Sequence, residues 1–171
     1  MSFVIRKAVR VLLLNDKNEL LLMLIEDFDI RTTEGTRNKR FWCTVGGGIE
    51  ADESIEQAAL REIYEEAGIA RENVNLGPVV WYGDVELVLK GTLTRLEELF
   101  IVAKTKQKNV FLQEPTEDEK HVVKKLRWFS FEDIQKSTEV IFPIVLLDYL
   151  TDIISEKYPE RPININLKKN K

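Results

Sequence analysis

Residues 46–69 read Gly-Gly-Gly-Ile-Glu-Ala-Asp-Glu-Ser-Ile-Glu-Gln-Ala-Ala-Leu-Arg-Glu-Ile-Tyr-Glu-Glu-Ala-Gly-Ile, and this stretch decides the fold. A run of three glycines lets the backbone approach a ligand where side chains would block it. Ser54 followed by Gln57 is a capping-box start, with Asp52 as the alternative cap. Ile55, Leu60, Ile63, Ala59 and Ala67 then recur at helical spacing, and Gly68 supplies the stop. The spacing predicts an amphipathic helix on which Glu62, Glu65 and Glu66 stand at i, i+3 and i+4 and share one face.

Like charges at that spacing cost an isolated helix about 0.2–0.5 kcal/mol per pair, so the cluster is not there to stabilise the helix. A hard cation explains it, since Mg²⁺ takes oxygen ligands, often one or two carboxylates together with substrate phosphates. A solvated acidic face is the plain alternative.

Outward from this stretch, Phe41–Val45 is apolar and aromatic and forms a strand leading into the glycines. Val4–Leu14 and Leu20–Ile25 are apolar runs around a polar 15–18 turn, a β-hairpin pattern. Glu26–Arg40 is polar and mixed in charge, and is expected to be a long surface loop. Pro78–Tyr82, Val85–Leu89 and Leu99–Ala103 are expected strands, with Lys90-Gly91 as a turn. Lys104–Lys120 reads mostly as loop, Val122–Phe129 as apolar again, and Ser130 with Asp133 as the cap of a short helix. From Pro143 a helical stripe through Ile144, Leu147, Leu150, Ile153 and Ile154 is expected to end near Tyr158. Residues 160–171 are expected to form a flexible tail.

The 171 residues suit one domain, with 44% hydrophobic content and 29 acidic against 25 basic side chains, a net charge of −4. That mild acidity argues against DNA as a partner. Cys43 is the only cysteine, so no intramolecular disulfide forms, which fits a cytoplasmic setting. Charges interrupt the apolar N-terminal run, and no window reaches the roughly 18 apolar residues of a membrane span.

Read from Gly47, the chain has five residues to Glu53, seven more to Arg61-Glu62-Ile63, then Tyr64, Glu65-Glu66, Ala67 and Gly68-Ile69. This resembles the signature of the Nudix hydrolases at all nine of its specified positions. The seven fixed identities would coincide by chance at a given start on the order of once in 10⁹. The resemblance implies an α/β fold, a Nudix-type α/β/α sandwich with a mixed central sheet, over one domain spanning 1–171.

It also implies hydrolysis of a diphosphate in a nucleoside diphosphate linked to another moiety, with Mg²⁺ or Mn²⁺. By the same resemblance Glu62, Glu65, Glu66 and the Gly47 carbonyl match metal ligands, and Glu53 and Arg61 match residues that orient them. The general base is open among Glu62, Glu97, Glu98, Glu117 and Glu119. The family commonly has proline before the glycines, where this chain has Thr44-Val45. Dimers are common in that family, so a homodimer is possible, although no residues specify an interface. Two alternatives are a nucleotide-sensing domain that binds without turnover and a prenyl-diphosphate isomerase.

Several side chains carry both a plain and a functional reading. Trp42, Trp81 and Phe100 read as core aromatics, with Trp42 also a candidate for stacking on a base. Arg40 leads Arg31, Arg37 and Lys39 as a candidate phosphate contact. Glu97, Glu98 and Glu119 read as surface carboxylates or as site groups. His121 reads as solvated, and Cys43 as a small buried thiol without a catalytic role.

Overall fold

The computed structural model describes residues 3–29, 31–32, 35–36, 39–113 and 115–168. Strand β1 (Val4–Leu14) turns into β2 (Leu20–Glu26), where Asn15 accepts the Lys17 and Glu19 amides with its side chain. Two short strands, β3 (Arg31–Thr32) and β4 (Gly35–Thr36), precede β5 (Arg40–Gly48) and helix α1 (Ile55–Ala67). Strands β6 (Asn75–Leu89) and β7 (Thr92–Lys104) form a long hairpin, followed by α2 (Glu117–Val122) and β8 (Val123–Phe129). Helix α3 (Phe131–Lys136), strand β9 (Ile141–Phe142), helix α4 (Leu146–Ile154) and strand β10 (Ile163–Asn164) complete the chain.

The β6–β7 turn follows from its two central residues. Lys90 and Gly91 both have positive φ, 48° and 80°, the backbone that matches the twist of a tight hairpin. Strand β7 then runs parallel to the full length of β1, so the central sheet is mixed.

Strands β1 and β2 splay apart after their turn, where Leu14 meets Leu20. Strand β5 bridges them: Val45–Gly48 pairs with β1 at Val11–Ala8, while Arg40–Thr44 pairs with β2 at Glu26–Leu22. The far edge of β2 takes β8. The opening between the splayed strands, floored by β5, is where the site lies.

Because successive strand residues face opposite ways, each long strand feeds two cores. Val9, Val11, Leu13, Leu21, Met23 and Val45 pack on Ala58, Ala59, Ile63 and Ala67 of α1. Leu12, Leu14, Leu20, Leu22, Trp42 and Phe100 pack on Ile134, Leu146, Leu150 and Ile153 of α3 and α4. These are the three layers of an α/β/α sandwich. Burial on both faces explains why β1 and β2 read as continuous apolar runs rather than alternating ones.

Helix α1 starts as its sequence requires, with Ser54 accepting the Gln57 amide and Gln57 accepting the Ser54 amide. It stops at Gly68, whose φ of 68° only glycine adopts without penalty. Ser54→Ala removes one of these two bonds, with an expected loss of about 1 kcal/mol. In a domain of this size that lowers the melting temperature by roughly 2–4 °C, measurable by thermal unfolding.

Four expectations change. The 26–40 segment is not bare loop, because Arg31–Thr32 pairs with β4 and with β6 at Val88–Leu87. The two strands expected over 78–89 are one strand, with register shifts between Leu76 and Trp81. The last helix ends at Ile154 rather than near Tyr158, with Ser155 as its cap. The expected tail is tied down through residue 165: Ile163–Asn164 extends the sheet beside Trp81–Tyr82, and Ile165 is 1% exposed. The apolar residues alternating with asparagine in 163–167 are a short strand pattern. Among the described residues no helix is long and apolar enough to cross a membrane.

Candidate active site

Strand β5 ends in the glycine turn, and α1 returns its acidic face against it. The Gly46 N–H donates to Glu66 Oε2 at 2.7 Å, so the turn and the helix hold each other. Gly46 has a φ of 146°, and a Cβ there would lie 2.1 Å from the Val9 carbonyl oxygen. A Cβ on Gly47 would lie 2.4 Å from Glu62 Oε1. Only glycine at both positions lets the backbone come this close to the two carboxylates.

Arg61 organises the other side of the loop. Its Nε and Nη2 donate to the two oxygens of Glu53, at 2.5 and 3.0 Å, in a bidentate pair. Nη2 also donates to the Gly48 carbonyl at 2.9 Å, and Nη1 to Glu62 at 2.8 Å and Glu65 at 3.2 Å. The Arg61 bond and the Glu50 amide hold the Glu53 carboxyl far below its usual range, at about 2. Stability from this interaction is present above the unfolded carboxylate's range, near pH 4.5, and is lost as pH falls toward 2. Denaturant unfolding of the wild type and of Glu53→Gln is expected to differ most near neutral pH and to converge as pH falls through that window.

Glu62 and Glu66 are 7% and 8% exposed. Burial raises the Glu66 carboxyl to about 8, and the Glu62 charge adds to the rise against the Gly46 amide and Arg10. Burial also raises Glu62, opposed by Arg61. Two buried carboxylates that repel one another across a glycine turn suit a cation, which would relieve both penalties. Among the described residues no three acidic, histidine or cysteine side chains converge on a ready-made cage. The residues that could hold an ion here are the Glu62 and Glu66 carboxylates beside Gly47, with Glu65 at the rim, and oxygen donors of this kind fit an ion such as Mg²⁺ that completes its shell with water and phosphate.

The remaining expected residues divide. Glu65 lies at the rim, its side chain 44% exposed and held by Arg61. Glu98 lines the same cavity as Glu66, but its Oε1 accepts from Arg10 Nε at 2.9 Å. Glu119 caps α2 by accepting the Thr116 amide, and its charge reaches Glu66. Glu117 pairs with Lys120. Glu97 opens into a different depression with Lys7, Tyr82 and Arg95.

Arg40 stands away from the glycine turn. It pairs with Glu26 and Glu139 and lies seven residues up β5 from Gly47, about 23 Å along a strand. Trp42 is 5% exposed and packs edge-on against Phe129 at 4.8 Å, while its indole N–H bonds Glu139. It has no face left for a base. Trp81 and Phe100 are likewise core, with ring centres 5.6 Å apart. Lys39 sits over the Phe28 ring, Arg31 lies in β3, and Arg37 falls outside the described residues.

Sequence reasoning missed Arg10. Its guanidinium lies between Glu98 and the Gly46 carbonyl, which accepts from Nη1 at 3.4 Å. The signal was a charged residue inside the apolar run of β1. Arg10, Glu66 and Glu98 line a cavity of about 260 Å³ whose other walls include Met23, Phe41, Leu87 and Phe142. A wider depression of about 590 Å³ continues outward past Leu89 and Val122, with Arg6, Asp27 and His121 in its lining.

The chain belongs to the Nudix family: the family's NUDIX domain model matches residues 4–149. Hydrolases of this family generally use divalent metal ions. Over 111 residues the chain is 29% identical to a Mus musculus protein named diphosphoinositol polyphosphate phosphohydrolase 3-alpha. That match covers 60% of this chain and 56% of the relative, so the chain spans about half the length of the curated relatives it matches. The fold is similar to a MutT protein from Methanosarcina mazei, with TM-score 0.60, 23% identity, and coverage of 92% of this chain and 98% of that one. It is also similar to an Ap4A hydrolase of C. elegans, with TM-score 0.59, 20% identity, and coverage of 88% and 98%.

Proposed function

We propose that this protein is a divalent-metal-dependent hydrolase that cleaves a diphosphate in a nucleoside diphosphate linked to another moiety. One observation carries the reading: two buried carboxylates, Glu62 and Glu66, flank the Gly46-Gly47 turn, and Glu66 and Gly46 line a largely apolar cavity. The cavity favours an apolar ring over a polyphosphorylated one as the attached group, because among the described residues Arg10 is the one basic side chain in its lining and it is already paired with Glu98.

Glu62, Glu66 and the Gly47 carbonyl would hold Mg²⁺ or Mn²⁺. Such an ion neutralises the diphosphate and acidifies the attacking water. Arg61 keeps the loop in place by bonding Glu53, Glu62, Glu65 and the Gly48 carbonyl together. Water attacks one phosphorus in line, a P–O bond forms, the bridging P–O bond breaks, and the water's proton passes to a site carboxylate. Glu119→Gln tests one candidate for that carboxylate that holds no metal in this reading: a large fall in kcat with metal affinity kept would assign it the proton.

The test is a panel of ADP-ribose, nucleotide sugars, dinucleoside polyphosphates, damaged nucleoside triphosphates and a diphosphoinositol polyphosphate. Each is assayed with Mg²⁺, and Glu66→Gln serves as the control. Metal-dependent turnover of a nucleotide that the variant lacks is the expected result. No turnover of any nucleotide, or full activity in the variant, would sink the reading. Tight nucleotide binding without product would favour a sensing domain instead.

A further inference from the structure

The mechanism uses the cavity beside Glu66 only as a place for the attached group, and it gives Arg10 and Glu98 no part. These two residues are what make the cavity chemically selective. Arg10 projects from β1 and Glu98 from β7, and the parallel register of the two strands brings them together. The guanidinium carries five N–H donors. One goes to Glu98 and a second, at 3.4 Å, to the Gly46 carbonyl. The charges of Glu66 and Cys43 also act on this guanidinium, and both Arg10 and Glu98 line the cavity.

The surroundings make this pair matter. Phe41 and Phe142 meet edge to face at 5.1 Å, and with Met23, Leu87 and Phe100 they give the cavity apolar walls. At about 260 Å³ it is just below the roughly 300–1,000 Å³ of sites that enclose a whole drug-sized ligand, so it suits one ring system of a larger substrate. A planar ring there gains apolar and aromatic contact on its faces. Its edge must then satisfy a donor beside an acceptor, since polar groups enclosed by apolar walls are costly when unpaired.

We infer that the Arg10–Glu98 pair reads the edge of a nucleobase seated in this cavity, and so sets which nucleoside diphosphate the protein accepts. The complementary edge carries an acceptor next to an N–H donor, as nucleobases do and as inositol phosphates and alkyl chains do not. This inference rests on the nucleoside diphosphate reading above, and it assigns Glu98 to recognition rather than to proton transfer.

The experiment is calorimetric titration of the full chain with ADP, GDP, IDP, UDP, CDP and inorganic diphosphate, in Mg²⁺, so that binding is read whether or not turnover occurs. The wild type is expected to prefer one base at least tenfold in Kd over the others. Sites that hydrogen-bond a substrate group reject analogues lacking it by far more than apolar pockets do. Glu98→Gln, which keeps the shape, and Arg10→Met are expected to flatten that preference to within about threefold. In Glu98→Gln, affinity for inorganic diphosphate should stay within about twofold of wild type.

Glu98→Gln alone carries the test if Arg10→Met does not fold. Selective binding without hydrolysis would support this inference while refuting the hydrolase. Three outcomes would overturn it: a wild type that binds every nucleotide no better than inorganic diphosphate, an unchanged base ranking in Glu98→Gln, or a hundredfold loss of kcat in that variant with selectivity intact.

Discussion

Glu66→Gln is expected to lose metal-dependent turnover by roughly a hundredfold or more while making the metal-free protein more stable. Outer-sphere partners of metal sites already cost 10–100-fold when changed, so a direct partner should exceed that. The stability gain comes from the same burial. Folding raises the Glu66 carboxyl from an ordinary 4.5 to about 8, so between those values the folded chain holds a proton that the unfolded chain releases. Wild-type stability relative to the variant therefore falls as pH rises from about 4.5 and levels off above about 8.

The expected difference at pH 8 is on the order of 1–4 kcal/mol. Glutamine keeps the acceptor for the Gly46 amide, so that bond survives. Thermal unfolding at pH 4 and pH 8 measures the difference, and Mg²⁺ should raise the melting temperature of the wild type but not of the variant.

The second large effect separates two adjacent glycines. Gly46→Ala places a methyl 2.1 Å from the Val9 carbonyl oxygen and 2.9 Å from the Arg10 Cα, against backbone, at a φ that L-residues rarely adopt. Strain of this kind puts it among substitutions costing about 4 kcal/mol or more, a fall of 10 °C or so, or no folded product at all. Gly47→Ala meets only the Glu62 carboxylate, at 2.4 Å, and that side chain can swing aside. The protein should fold with a melting temperature within a few degrees of wild type and lose most of its activity, because Glu62 no longer reaches the turn. Circular dichroism melts paired with the turnover assay distinguish the two variants.

How much of this was legible depends on range. Helix α1, its Ser54–Gln57 cap, its Gly68 stop and the glycine turn are local, and spacing alone reads them. The bidentate Arg61–Glu53 pair follows from the same motif. What spacing does not carry is the way β5 bridges two splayed strands, since that depends on pairings between residues 14 or more positions apart. That bridge turns Trp42 into the α3–α4 core and sets Arg40 at the far end of β5, which is why neither stands beside the glycine turn. It also opens the cavity that gives Arg10 and Glu98 a place near Glu66. A lone charge in an apolar run was the trace they left in the sequence. The asparagine-rich end looked frayed because Ile165 supplies its burial almost alone.

The most direct measurement of the central claim is the fate of solvent oxygen. A nucleotide that the panel selects is incubated in H₂¹⁸O with wild type or Glu66→Gln, with Mg²⁺ or with a chelator, and the products are weighed by mass spectrometry. Water attack on phosphorus predicts one ¹⁸O in a single phosphoryl product, formed only by the wild type and only with the metal present. Unlabelled phosphoryl products, or equal labelling in the variant or in the chelated sample, would contradict a hydrolase built on Glu62, Glu66 and the glycine turn.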